Sequence, residues 1–368
     1  MLRRSHHTWW ISVMVAVVLG APGCSADGPP PATPFVLSGV ANVTRVAQVT
    51  GPGSPNATDR FGIAGTDLGS MFEADGRVWF VFGDTFGRRD PGQTGGGGTE
   101  WRSNALAYST DADPADGIRL DGFITGDDGR AAELLPSAKV DHSEMTVIPT
   151  YGFAANGAMY LAFMSVRHWG APGEWETNSS GLARSTDGGR TWTKLDRPRW
   201  GGDSNFVQVS VARSGDDLYF WGVTHGRFGG VHLMKVPADR VEDAGAYRYF
   251  TGTDSGSPVW SADESRATVV VRDTAGELSV VWNEHLSRWL MTYSNGAGGG
   301  VTLREGITQW GPWGDAITLR SQQDVPGLYA PYQLPRYVGN GGSTIYFTLS
   351  IWDPYNVFWF KADLIGLG

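Results

Sequence analysis

Two aspartates bracket one short hairpin. The stretch GTDLGSMFEADGRVWFVFGDTFG runs from Gly65 to Gly87, with Asp67 near one end and Asp84 near the other. At its centre, Asp75-Gly76 is a dipeptide that favours a tight type I′ turn between antiparallel strands. A two-residue turn pairs Ala74 with Arg77, and in that register Asp67 falls directly opposite Asp84. Like charges facing each other destabilise a sheet. The same arrangement equips a site for glycoside cleavage, with one carboxyl as acid. The other is a nucleophile if the two lie about 5 Å apart, or a base for water if they lie further apart. Mutual repulsion raises one pKa, so one group is protonated and the other ionised near neutrality. Phe82 and Phe86 flank Asp84 and point to it as the protonated acid, with Asp67 as nucleophile or base. The bland reading is that each Asp caps a turn beside Gly65 or Gly83. For the facing pair the functional reading is preferred, since perturbed acids gather at sites.

Other polar residues are candidates for binding. DHSEMTVIP puts His142 and Glu144 on one side of an entering strand, to contact sugar hydroxyls or to pair with an Arg at the rim. Glu277 in GELSVVW starts a strand as Asp67 does, and is either a further pocket carboxylate or a solvated turn. Asn205 and Gln208 in SNFVQVSV begin another strand. Trp101, beside GQTGGGGTEW, is a candidate sugar platform. No HExxH, Cys/His cluster, phosphate loop or Gly-x-Ser-x-Gly elbow occurs, which removes metalloprotease, nucleotide and serine-hydrolase chemistry. No metal ligand set is assigned and no cofactor is required. A bound calcium ion is not readable from the sequence.

The elements that must hold these residues are strands. The 368 residues include 52 Gly, 16 Trp, 16 Phe and 12 Tyr, and only 18% are charged. Beyond residue 40 there is no long helical period. Hairpin-like segments recur about every 50 to 70 residues, as stacked units do. Ser185-Thr186-Asp187-Gly188-Gly189-Arg190-Thr191-Trp192 matches the Asp-box, a turn between outer strands of a propeller blade, so Asp187 is scaffold. The expectation is an all-β fold: a single five-bladed β-propeller with the Asp-box in blade two. The blades fall near 60–112, 139–195, 203–252, 256–320 and 325–364. Residues 36–50 add an outer strand to the last blade and close the ring, which removes exposed edges.

The chain opens with Arg3, Arg4 and an apolar run from Trp9 to Leu19, too short to span a membrane comfortably. Cys24, the only cysteine, follows this run as in a bacterial lipoprotein box, although Ala21 and Pro22 depart from that pattern. The expected division is an export signal over 1–24 with Cys24 lipidated, a Pro-rich spacer over 25–35, and a catalytic domain over 36–368. The product is a monomeric cell-envelope lipoprotein, or otherwise a secreted protein. Its membrane contact is limited to the lipid anchor. The balance of 29 basic and 38 acidic residues gives a net charge of −9 with no basic run, which argues against nucleic acid as a partner.

The segments AGTDLGSMF, GRVWFVFGDTFG, WRSNALAYS, DHSEMTVIPT, GLARSTDGGRTW, GELSVVWNEHLSRWLMTY and YAPYQLPRYV carry a resemblance. With IYFTLSIWDPYNVF, they resemble an actinobacterial family long catalogued as a domain of unknown function. Some of its members are endo-D-arabinanases that cut mycobacterial arabinogalactan and lipoarabinomannan. The resemblance spans about residues 40–364. It implies a five-bladed propeller and a catalytic aspartate pair, which falls on Asp67 and Asp84. It also implies an arabinan substrate. The competing expectation is a non-catalytic propeller that binds cell-wall glycan or a protein partner.

Overall fold

The structure is a computed structural model that describes residues 34–366. The export signal, Cys24 and nearly all of the Pro-rich spacer lie outside the described residues. Among the described residues, no helix is long and apolar enough to cross a membrane.

The fold is all-β, built from antiparallel meanders. After β1 (Leu37–Gln48), the first meander contains β2 (Gly65–Ala74), β3 (Arg77–Phe86), β4 (Ala105–Ser109) and β5 (Gly122–Phe123). The second contains β6 (Thr146–Ala155), β7 (Ala158–Trp169), β8 (Trp175–Ser185) and β9 (Thr193–Gly201). The third runs through β10 (Gln208–Ser214), β11 (Asp217–Val223), β12 (Gly229–Pro237), β13 (Arg248–Asp254) and β14 (Ser257–Ser261). The fourth runs through β15 (Val269–Asn283), β16 (Arg288–Asn295), β17 (Gly300–Gly306) and β18 (Ile317–Ser321). The last contains β19 (Leu328–Gly339), β20 (Thr344–Ile351) and β21 (Asn356–Gly366), and β1 pairs with β21 to complete it. The third and fourth meanders form one nine-stranded sheet, because the early part of β15 pairs with β12. Residues 257–261, expected in the fourth unit, pair with β13 and so belong to the third.

The first strands of the meanders are neighbours in sequence order: β2 packs on β6, β6 on β10, β10 on β15 and β15 on β19. β19 also packs on β2. Their inward residues, joined by others such as Phe82 of β3, form the largest core, which includes Leu68, Tyr151, Val209 and Tyr332. Burying each such aromatic or aliphatic side chain stabilises the fold by about 1.5–3 kcal/mol. Separate apolar clusters fill the spaces between neighbouring sheets, for example Phe72, Trp79, Val147 and Leu161 between the first two.

Local turns follow from sequence. Asp75 (φ 52°) and Gly76 (φ 72°) both take the positive φ that a type I′ turn needs. At residues 185–192 the Asp187 carboxylate accepts from the Thr191 Oγ1 at 2.6 Å and from the Arg190 and Thr191 N–H groups at 3.1 and 3.0 Å. The Thr191 bonds lead in lowering its pKa to about 2, as befits a permanently ionised turn anchor.

Candidate active site

The first strands supply the candidate residues, from their entering ends except in β15, where Glu277 lies mid-strand. Asp67 comes from β2, Thr146 from β6, Gln208 from β10, Glu277 from β15 and Tyr329 from β19. Asp84 and the loop to Trp101 return to the same place from the end of β3.

The hairpin register corrects the expected face-to-face pairing. The ladder runs as expected from Ala74↔Arg77 to Ser70↔Val81, then slips to Leu68↔Phe82, and recovers at Thr66↔Thr85. Asp67 and Asp84 therefore sit inside a double irregularity, and neither is a ladder partner of the other. Leu68 (φ 67°) and Gly69 (φ 89°) both turn left-handed there. Bulges of this kind occur next to active sites because they re-aim side chains. Gly83 makes the arrangement possible: a Cβ on it would lie 2.5 Å from Asp67 Oδ1.

The two carboxyls are held differently. Tyr329 donates its hydroxyl hydrogen to Asp67 Oδ2 at 2.8 Å. The Tyr355 side chain also favours the Asp67 anion. Asp67 Oδ1 is buried with no hydrogen-bond partner. Asp84 is 7% exposed, and its Oδ1 accepts from Trp101 Nε1 at 2.8 Å and Thr146 Oγ1 at 2.6 Å. Lys139, paired with Glu133 at 2.6 Å, places a positive charge near Asp84.

Burial, then the charge of Asp84, raises the Asp67 pKa to about 7 despite the tyrosine bonds. Burial also raises Asp84, but only to about 6, because Thr146, Trp101 and Lys139 favour its anion. Both carboxyls are therefore pushed toward the protonated form. The donors that favour the Asp84 anion, Thr146 and Trp101, come from another strand and a loop, not from the flanking phenylalanines.

The remaining candidates divide. Trp101 touches the site as a hydrogen-bond donor, and its ring stacks on Phe86 with centroids 6.3 Å apart. Glu277 is 7% exposed, not a solvated turn, and Arg227 grips it through Nε at 3.0 Å and Nη2 at 2.7 Å. Burial pushes Glu277 up, but Arg227 outweighs it and holds the carboxyl below its ordinary range. Gln208 is buried and donates to the carbonyls of Thr224 and Gly226, so it anchors the loop that carries Arg227. Among the described residues, no hydrogen bond joins His142, Glu144 or Asn205 to either aspartate. Glu144 accepts from Ser165 Oγ at 2.8 Å, and Asn205 is half-buried before β10.

His142 is exposed and stacks on His168 with centroids 4.2 Å apart. With Asp141, which meets His168 Nδ1 at 2.7 Å, these form the one group of three ligand side chains among the described residues that could hold a metal ion. The group was not legible in sequence because His168 comes from the next strand. Tyr329, Tyr355, Thr146, Lys139 and Arg227 were also missed. For the two tyrosines the only signal was the aromatic density of YAPYQ and WDPYNVF; Thr146 stands within DHSEMTVIP, and nothing local marks Lys139 or Arg227.

No curated protein sequence matches the chain significantly. Residues 53–361 match the family described as Domain of unknown function (DUF4185). A Bacteroides ovatus structure whose hydrolase assignment is provisional superposes with a TM-score of 0.56. It shares 13% identity, over 84% of this chain and 89% of that one. Zg3597, a family 117 glycoside hydrolase from the marine bacterium Zobellia galactanivorans, gives a TM-score of 0.50. It shares 10% identity, over 90% of this chain and 92% of that one. At such identities the likeness is one of fold.

Proposed function

We propose that this chain, which belongs to the DUF4185 family, is a glycoside hydrolase whose acid and nucleophile or base are Asp67 and Asp84. The observation that carries the reading is the pair of buried carboxyls, both with raised pKa, in one doubly bulged hairpin with different hydrogen-bond partners. Asp67, the more readily protonated, donates to the leaving glycosidic oxygen as the C–O bond breaks. Asp84, ionised and held by Trp101 and Thr146, attacks the anomeric carbon or takes a proton from the attacking water. The separation of the two carboxyls in the substrate complex selects between these routes.

The finer reading is an endo-acting D-arabinanase on a single five-bladed propeller. The motifs shared with the arabinan-cutting family support the substrate. The five meanders, and the packing of β19 back onto β2, support the architecture. Exposed aromatics joined to the pair's neighbours Tyr355 and Arg227 support binding of an extended chain. Trp352, 53% exposed, meets Tyr355, which acts on Asp67. Trp169 is 37% exposed and packs on Trp175, next to Arg227, and Phe228 follows Arg227. Such exposed rings offer faces to sugar C–H groups.

Incubation with arabinogalactan, xylan and galactan in parallel tests this reading. The expected result is a ladder of oligosaccharides from the arabinan polymer alone. Tight binding with no products would favour a carbohydrate-binding role instead. The proposal places the enzyme in the cell envelope, anchored by acylated Cys24. Cys24→Ser should release it from membranes, and a native protein already free in the medium would refute the anchor.

A further inference from the structure

We propose that Arg227 and Glu277 are positioning residues that act as a charge-balanced pair on Asp67, so that Arg227 can brace the pocket without stripping the acid of its proton. The inference rests on the glycosidase reading, in which Asp67 must carry a proton to donate.

Arg227 is built into its place. It lies just before β12, its N–H donates to the Gly173 carbonyl at 3.0 Å, and Gln208 ties down the carbonyl of Gly226 at 3.0 Å. Its guanidinium carbon lies 5.9 Å from the Trp175 ring centroid and 5.0 Å from that of Tyr329. Gly276 leaves room for its stem, since a Cβ there would sit 2.5 Å from Arg227 Cγ. Tyr329 links the two sites: its ring faces the guanidinium, and its hydroxyl donates to Asp67 at 2.8 Å.

A lone buried cation here would favour the Asp67 anion and weaken the acid. Glu277 answers that charge with a bidentate bond and acts on Asp67 with the opposite sign. The other groups facing Asp67 are Asp84 on β3, Tyr329 and Tyr332 on β19, and Tyr355 before β21. Arg89 lies beyond Tyr355, 5.5 Å from its ring centroid, and Lys139 and Glu133 act on Asp84. The tyrosines stay neutral near pH 7. Neutral Tyr329 and Tyr355 still favour the Asp67 anion, so the balance on Asp67 sets burial, Asp84 and Glu277 against those tyrosines and Arg227.

Three variants test this: Glu277→Gln, Arg227→Gln, and the double variant that replaces the ion pair by two neutral amides. Two readouts are taken on the full chain: the pH dependence of kcat/KM, and an infrared titration of the Asp67 carboxyl assigned by difference with Asp67→Asn. Glu277→Gln should lower the Asp67 titration and the alkaline limb by about one pH unit or more. The double variant should return both most of the way to wild type, although it is the larger structural change. Arg227→Gln should raise them or leave them in place. Equal shifts in the single and double Gln variants would overturn the proposal, as would a downward shift in Arg227→Gln. The infrared titration needs no substrate. It therefore decides the pair's role even if the wild type cleaves no glycan, an outcome that would refute only the enzymatic reading.

Discussion

Asp67 and Asp84 make opposite demands on the same few cubic ångströms, and their neighbours decide the outcome. In the proposed mechanism, with Asp67 raised to about 7 and Asp84 to about 6, the productive form has Asp84 ionised and Asp67 protonated. The pH profile of kcat/KM should be a narrow bell with limbs near those values, which belong to the pair as a whole. Trp101→Phe removes a donor to Asp84 and should move the acid limb upward while cutting kcat/KM by about tenfold. Stability carries the same signature. Both folded pKa values lie above those of an unfolded chain, so the native state binds more protons between about pH 4 and 7. Stability contributed by the protonated forms is full below pH 4 and is lost as pH rises through that window. Asp67→Asn should flatten this slope in thermal melts. It should also leave the protein more stable than wild type at pH 8, by on the order of a few kcal/mol. A steeper slope in the variant would contradict the assignment. At this scale the sequence was legible where chemistry is local: both aspartates stand in one hairpin. Tyr329 lies 262 positions from Asp67, and no local pattern announces that bond.

At the scale of elements, the β2–β3 hairpin shows how much a register argument carries. Turn type and alternation gave the correct pairing for the five pairs next to Asp75-Gly76. They failed at Gly69 and Gly83, where glycine permits the bulges that aim the carboxyls. A simple ladder is what period-two alternation predicts, and only the two glycines hinted at a departure. Gly83→Ala should displace the Asp67 carboxyl and reduce turnover about a hundredfold while circular dichroism stays native. Unchanged turnover would show that the bulge does not position the acid. The boundary between the third and fourth meanders was misread for a related reason: β14 and β15 are both strand-like, and only pairing partners tell which sheet claims them.

At the scale of the whole molecule, the two ends of the described chain hold each other. β1 pairs with β21 from Leu37↔Gly366 to Gln48↔Phe358. The expectation that residues 36–50 add an outer strand to the last blade came from ring closure, which removes exposed edges. Deleting residues up to Gln48 should expose the β21 edge, lower the thermal midpoint and promote aggregation. A truncated chain with an unchanged midpoint would show that β1 is dispensable. The setting of Asp67 draws on this sheet, since Tyr355 precedes β21 and Tyr329 lies on β19.

The central claim is that two aspartates in one hairpin hydrolyse arabinan, and side-by-side digestion of purified arabinogalactan tests it most directly. Wild type, Asp67→Asn and Asp84→Asn would be compared at equal concentration near pH 6.5, with released oligosaccharides resolved by size over time. The account predicts progressive oligosaccharide release by the wild type, and release lowered by about three orders of magnitude in each folded variant. Oligosaccharide release at wild-type rate by both variants would contradict it.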